Sequence, residues 1–482
     1  MAKILFLNPN KWGRGITTIW ITSHSSVLKN ENHKVELFDS TFYKNWTDNE
    51  IGFNTENKQY KKSDYQNQIK FNENDIIQDL QKKIDEYRPD IIFWSAISSH
   101  IHGEGEYVNL EHGYYLIDQI KFDGFLVAGG IQITASKDRI AKLFPKIDIM
   151  IGGESEFVLL DIANNITKPD FKSKIKGIIF KNEKNELVSN VRQEIINDLD
   201  KIPNYDYSIF DKKTFLRSYN GKVLNAIDYE LSRGCIYTCS YCVETIIQDY
   251  YGFKEKSKKG ALLQSKKYLR SKSAERIYEE LKSYKKEFGI SLVRCQDTNF
   301  LTINSKVLKE LEEMILKSPL DLKLYIETRP EGINEKTVKI LKNLGVDGVG
   351  MGIELAGEEF RESELNRFAD QEKIINAFKL LKEFNIKRTT YNIIGLPNQT
   401  EESIISTINF NKTLDPDNVT VAFYSPYLGT SEQIKSSKLN YFDDYEKNVD
   451  GQLRSLSKST LVSAEKLNYY KKNFVMLVKN NI

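Results

Sequence analysis

The sequence predicts an α/β protein: a doubly wound, Rossmann-like amino-terminal domain, then a partial TIM-type barrel of parallel strands, then a helical carboxy-terminal tail. Three observations predict it. Short apolar runs alternate with helical patterns over residues 1–160 and again over 226–430, the rhythm of parallel sheets wrapped by helices. Three of the four cysteines, Cys235, Cys239 and Cys242, stand directly behind a strand-like run, and the carboxyl ends of strands are where such sheets place their chemistry. The segment 431–482 carries helical patterns such as AEKLNYYKKNFVMLVKN and no strand-rich module.

In the first domain five runs read as strands: KILFLNPN, HKVELFDS, PDIIFWSAISS, GFLVAGGIQIT and IDIMIGGESE. Helical patterns separate most of them, clearest at Ile76–Tyr87 and Tyr114–Lys121. A doubly wound sheet opens its ligand crevice beyond the strand C-termini. Gly129, Gly130, Gly152 and Gly153 sit at two such ends, where a side chain would obstruct a large flat ligand, or where a tight turn alone selects glycine. No turn carries G-x-G-x-x-G, which disfavours a dinucleotide. Lys44–Asn74 is a polar insertion, a lid or a loop, and 161–225 reads as a connector thin in regular structure.

The barrel begins with VLNAIDYELSRGC, a strand running into the cysteine loop. SAERIYEELKSYKKEFG follows as a helix capped by Ser273, with Ile277, Leu281, Tyr284 and Phe288 on one face. Then come the strands SLVRCQDTNFL, LKLYIETRP, DGVGMGIE, RTTYNIIGLP and NVTVAFYSP, with helices near Ser305–Leu316, Glu335–Leu344 and Gln371–Phe384 between the first four. Gly395 and Pro397 are expected to shape a strand-to-helix turn.

Lysine plus arginine (69) nearly cancel aspartate plus glutamate (67), so no charge footprint marks a nucleic-acid or anionic-membrane binder. MAKILFLNPN is too short an apolar run for a secretory signal, and nothing reaches the ~18 apolar residues of a membrane span. A soluble, cytoplasmic protein is expected, and its few cysteines then point to metal binding or catalysis rather than disulfides. Structural zinc asks for four protein ligands, yet His24, His33, His100, His102 and His112 all lie far upstream of the cysteine loop. A cubane iron–sulfur cluster normally takes one cysteine per iron, so three thiolates leave one iron open to a substrate-like ligand. The fourth cysteine, Cys295, two residues before Asp297 on a strand, is expected to be a buried structural thiol.

C-x3-C-x2-C with Tyr241 just before the last cysteine resembles the signature loop of the radical SAM enzymes, although Ile236 stands where many relatives have Pro. SRGCIYTCSYC, ETRPEGINEKTVKILKNLGVDGVGMGIE, NRF, YNIIGLPNQTEES and YSPYLGT follow the order of the subgroup that joins this barrel to a cobalamin-binding domain. NPN, GGIQIT and GGESE are similar to phrases of that domain, and INDLDKIPNYDYSIFD to the segment leading out of it; a literal GEGE at Gly103–Glu106 follows the wrong strand.

The resemblance implies cobalamin binding by 1–160, a connector at 161–225, a radical SAM barrel at 226–430 and a helical region at 431–482 that packs over the barrel mouth. It implies a 4Fe-4S cluster on Cys235, Cys239 and Cys242. S-adenosylmethionine contacts are implied for Tyr241, Asp297, Glu327, Glu354 and Arg367, with Glu354 toward the ribose and Arg367 paired to the carboxylate. Asp297 and Glu327 read equally well as structural carboxylates holding loop amides. Cobalamin contacts are implied for Asn8, Ser98, Gly129, Gly130, Gly152, Gly153 and Glu154. The chain has no D-x-H-x-x-G, and His100 and His102, which follow the third strand, are expected to be solvated loop histidines.

The implied activity is reductive cleavage of S-adenosylmethionine to a 5′-deoxyadenosyl radical, driven by a one-electron donor such as a flavodoxin or ferredoxin. Methylation of an unactivated carbon in a small-molecule or biosynthetic-intermediate substrate would follow. A non-methylating cyclisation, rearrangement or oxidation is the alternative, and a non-catalytic cobalamin sensor or scaffold the remote one. No acid, base or nucleophile is assigned, and no nucleic-acid partner is expected.

Overall fold

A strand buried on both faces reads as an unbroken apolar run, and KILFLN does so: from Ile4 to Asn8 every residue of this strand, β1 (Lys3–Asn8), is buried in the computed structural model. The structure describes residues 1–47, 55–96, 110–424, 427–438 and 461–479. It divides into two compact units, one formed by Met1–Ile51, Tyr65–Arg217 and Ile246–Gly252, the other by Gly52–Asp64, Ser218–Thr245 and Phe253–Ile482.

In the first unit β1 lies between β2 (Lys34–Asp39) and β3 (Ile91–Ala96), followed outward by β4 (Phe125–Gly130) and β5 (Ile149–Ile151), all parallel. These are the five strands read from the sequence. The order β2-β1-β3-β4-β5 reverses direction at the β1/β3 pair, the switch point beyond which a doubly wound sheet holds its ligand. Helix Ile19–Asn30 covers one face by setting Trp20 and His24 on Phe93, with ring centroids 5.4 and 5.3 Å apart. Helix Ile76–Tyr87 has the predicted bounds and is capped by Asp75, which accepts from the Gln78 amide at 2.8 Å. The helix expected at Tyr114–Lys121 instead runs Leu110–Ile117. Its first described residue is held from outside: Gln132 accepts the Leu110 amide at 3.1 Å, and Trp94 donates to the Leu110 carbonyl at 3.1 Å.

The stretch read as a connector is less bare than its sequence suggested. GIIFKNEKNELVS folds as a hairpin, β6 (Ile178–Lys181) and β7 (Leu187–Ser189), whose turn uses Asn185 at φ 60, and β6 joins β5 antiparallel.

In the second unit β8 (Leu216–Tyr219) turns through Asn220–Gly221, φ 49 and 80, into β9 (Lys222–Tyr229), the backbone that a two-residue hairpin favours. A two-residue ladder, β10 (Ser232–Arg233) with β11 (Arg270–Ser271), closes the base of the cysteine loop. Then β12 (Leu292–Cys295), β13 (Lys323–Glu327), β14 (Val346–Glu354), β15 (Lys387–Ile394) and β16 (Asn418–Phe423) add to β9 in parallel. Among the described residues this gives six parallel strands in one curled sheet with β16 at its edge, the half-barrel that strand–helix alternation predicts.

The two described tail helices lie in different places: Ser431–Lys438 meets the cysteine loop, where the Glu432 amide donates to the Ser240 carbonyl at 3.1 Å, and the second lies elsewhere. Helix Ala464–Lys479 packs Leu467, Phe474 and Val478 against Ile404, Ile408, Val419 and Val421, so it covers β16 and helix Glu401–Leu414 from outside. An open edge strand invites foreign pairing, and Lys471 donates to the Val421 carbonyl while Gln59, from the polar insertion, accepts the Val421 amide at 2.9 Å. At Gln59 the insertion meets that edge. Among the described residues no helix is long and apolar enough to cross a membrane.

Candidate active site

The cysteine loop leaves the carboxyl end of β9, and one buried acid fixes where it starts. Asp297, just past β12, accepts from the Ser232 amide at 2.6 Å, the Ser232 hydroxyl at 2.5 Å and the Leu231 amide at 3.3 Å. Burial pushes its carboxyl up to about 7 even against those hydrogen bonds. Gly234, φ 99, then lets the chain pass the Tyr268 carbonyl, which a Cβ would meet at 2.7 Å. Cys235 and Cys239 are buried and Cys242 half-buried, all as free thiols. Glu244 lies under them, accepting from the Cys235 amide at 3.1 Å and the Tyr268 hydroxyl at 2.6 Å.

This setting opposes bare thiolates. Burial first, then the Glu244 charge, pushes the Cys235 thiol up to about 12, and burial with Cys239 pushes Cys242 well above its usual range. Thiolates at Cys235 and Cys242 are therefore favoured here only where a positive centre replaces their protons, as iron would. Among the described residues no three His, Cys, Asp or Glu side chains converge on a single-ion position. A cluster asks for one sulfur on each of several irons, and Cys235, Cys239 and Cys242 offer three sulfurs from one loop.

Tyr241 of the same loop reaches the next barrel strands. Its hydroxyl donates to Glu354 Oε1 at 2.9 Å and accepts from Arg367 Nη1 at 3.4 Å, and Arg367 Nη1 stands 3.9 Å from Glu354 Oε1. Glu354 ends β14 at φ 62, a left-handed conformation uncommon for a side-chain-bearing residue and often found at functional sites. Gly352 makes room: a Cβ there would collide with the Glu354 carboxylate and lie 3.4 Å from Arg367 Nη2. Arg367 is 4% exposed, yet its Nε has no hydrogen-bond partner among the described residues. A buried guanidinium with an open donor fits an incoming carboxylate.

Glu327, at the end of β13, accepts from the Tyr391 hydroxyl at 3.0 Å, and Tyr391 meets Tyr325 at 2.7 Å. Sequence reading missed both tyrosines, although their period-two spacing from Glu327 on β13 and from Ile393 on β15 was visible. It also missed Arg329, two residues beyond Glu327. Arg329 Nη1 donates to Cys239 Sγ at 3.3 Å, and its guanidinium lies 3.6 Å from the centre of the Tyr237 ring. Gly395, φ 83, turns β15 toward the next helix with its amide on Gln399 at 2.7 Å, as expected. Cys295 is buried, and burial holds its thiol well above the usual range.

In the first unit Asn8 ends β1 at the switch point, fully buried. Its Nδ2 donates to Asp39 at 3.0 Å, and its Oδ1 has no hydrogen-bond partner among the described residues. An open acceptor there fits a polar ligand group. The glycines have local explanations: a Cβ on Gly129 would sit 3.2 Å from Phe93, and one on Gly152 would sit 2.9 Å from the Tyr250 hydroxyl. Gly130 precedes its helix at φ 108, and Gly153 takes φ 71 beside Tyr251. Glu154 accepts the Ile196 amide at 2.8 Å while its own amide donates to Tyr251 at 2.8 Å. Ser98, His100, His102 and the GEGE copy lie outside the described residues.

Residues 229–410, which contain the thiol loop and the Glu354–Arg367 pair, match the radical SAM superfamily. The chain carries a radical SAM domain. An uncharacterized methyltransferase of Pyrococcus horikoshii is 27% identical to it over 354 residues, 73% of this chain and 70% of that one. The anaerobic magnesium-protoporphyrin IX monomethyl ester cyclase of Rubrivivax gelatinosus is 25% identical over 361 residues, and the match spans only 60% of the cyclase. Among solved structures, the radical S-adenosylmethionine methyltransferase TsrM of Kitasatospora setae, with cobalamin and a [4Fe-4S] cluster bound, shares the fold. Its TM-score is 0.68 at 17% identity, over 91% of this chain and 78% of TsrM. A radical SAM domain implies a 4Fe-4S cluster and S-adenosylmethionine.

Proposed function

We propose that this chain binds its cluster through Cys235, Cys239 and Cys242, holds a cobalamin in the first unit, and methylates an unactivated carbon of a small molecule. The observation that carries the reading is the thiol loop whose Tyr241 joins the Glu354–Arg367 pair at 2.9 and 3.4 Å. The cofactors supply the chemistry: an electron that cleaves S-adenosylmethionine, a carbon radical made from its adenosyl group, and a methyl group carried by cobalamin. The chain's own task is positioning. Arg367 offers Nε to the S-adenosylmethionine carboxylate, Glu354 leaves Tyr241 for the ribose hydroxyls, and Tyr391 orients Glu327 at the neighbouring strand end. Asp297 holds the loop entrance and needs no contact with S-adenosylmethionine. The open Asn8 acceptor and the doubly wound strand order support a corrin amide at the first unit's switch point. The electron comes from a flavodoxin or ferredoxin type of donor.

The name of the Pyrococcus horikoshii relative and the fold of TsrM support methylation. The cyclase, nearly as similar, supports a second reading, radical cyclisation without methyl transfer. Incubating the reconstituted chain with reductant, hydroxocobalamin and S-adenosylmethionine separates them. The methylation reading expects S-adenosylhomocysteine as well as 5′-deoxyadenosine; 5′-deoxyadenosine alone would favour the cyclase-like reading, and neither product would defeat both.

A further inference from the structure

We infer that Arg329 sets the reduction potential of the cluster by donating a hydrogen bond to the Cys239 sulfur, with Glu331 as its counterweight. This rests on the cluster reading above and goes beyond it, because a ligand set alone does not fix how easily a cluster takes an electron.

The geometry is built from both sides. The Arg329 backbone is pinned where β13 ends: its amide donates to Asn299 Oδ1 at 3.3 Å, and the Thr328 hydroxyl donates to the same oxygen at 2.7 Å. Pro330 then opens a short turn that brings Glu331 back onto the guanidinium, where it accepts from Nε at 3.0 Å and from Nη2. Nη2 also donates to the Phe368 carbonyl at 3.1 Å. With its face 3.6 Å from the Tyr237 ring centre, the fork has one orientation, and that orientation sends Nη1 to Cys239 Sγ at 3.3 Å. The cysteine side is held as firmly: Asn366 donates to the Thr238 carbonyl at 2.7 Å, and the Ser240 amide to Leu365 at 3.0 Å.

Reduction adds one electron to the cluster, and part of the added charge resides on the cysteine sulfurs. A guanidinium hydrogen-bonded to one of them stabilises the reduced form more than the oxidised form, and hydrogen bonds to sulfur are among the groups that set cluster potentials. Arg329 is 7% exposed, so solvent and salt screen this interaction little. The Glu331 carboxylate, on the far side of the same guanidinium, opposes it. Arg367, by contrast, pairs with Glu354 and Tyr241, which leaves the two arginines with separate duties: one on the cluster, one on S-adenosylmethionine.

The two residues therefore carry opposite signs, which a merely structural role would not produce. The test is an anaerobic redox titration with dithionite and mediators, followed by electron paramagnetic resonance, on the reconstituted full chain without S-adenosylmethionine. No bond forms or breaks; dithionite is oxidised and the cluster gains one electron. Arg329→Gln is expected to lower the midpoint by about 59 mV or more, a tenfold loss in a one-electron equilibrium, and Glu331→Gln to raise it. Arg329→Lys keeps the charge but not the planar fork and should fall between Arg329→Gln and wild type. A fully loaded Arg329→Gln protein with the wild-type or a higher midpoint overturns the inference. If that variant fails to load iron, Glu331→Gln decides: a higher midpoint supports the inference, and an unchanged or lower one overturns it. A wild-type chain that takes up no iron overturns the cluster reading itself, and this inference with it.

Discussion

Asp297 accepts both Ser232 donors and the Leu231 amide, so the entrance of the cysteine loop hangs on one buried acid. Its pKa, raised from an ordinary 3.8 to about 7 by burial, has a consequence for stability. The folded chain holds this proton more tightly than the unfolded chain does, so protonation favours folding. That contribution is complete below pH 3.8 and is lost as pH rises toward about 7. Asp297→Asn removes the titration, so the stability of wild type relative to the variant should fall with rising pH across that window, read by denaturant unfolding of the cofactor-free chain. A gap that stays constant with pH would refute the assignment. At this scale the three thiols were legible, because their spacing is local and their chemistry rare. Arg329 was not: it stands 90 residues from the sulfur it touches, and no local pattern encodes that meeting. Asp297 and Glu327 were visible as polar residues at strand ends, but only the partners of Asp297 reveal it as a loop anchor.

Strands are legible when they are buried on both faces and long enough to carry a run. β1, β3 and β4 met both conditions; β6 and β7, with four and three residues around the charged turn NEKN, met neither. The tail helix was legible as a helix, but its partner was not, because an apolar stripe does not name the surface it covers. Tertiary context made that surface the edge strand β16. β14 shows how an element's composition serves its neighbours. A Cβ on Gly350 would lie 2.5 Å from the Tyr391 hydroxyl and 2.8 Å from that of Tyr325. Gly350→Ala should therefore cost about 1–3 kcal/mol through overpacking and displace Tyr391 from Glu327. Thermal unfolding checks the first effect, and a variant as stable as wild type would mean that the tyrosines repack freely.

Across the whole molecule, near-neutral charge, with 69 basic against 67 acidic side chains, leaves recognition to the two sheets' carboxyl ends rather than to a surface field. Each end carries an open buried polar atom. In the second unit it is the open Arg367 donor, and in the first it is the open acceptor of Asn8. On the proposed function, two different cofactors load on two different units. Anaerobic reconstitution with iron, sulfide and hydroxocobalamin, followed by metal analysis of wild type and Cys239→Ala, puts this to the test. About four irons and one cobalt per wild-type chain are expected, with iron lost and cobalt retained in the variant. Iron without cobalt in wild type, or iron that survives the loss of Cys239, would contradict it.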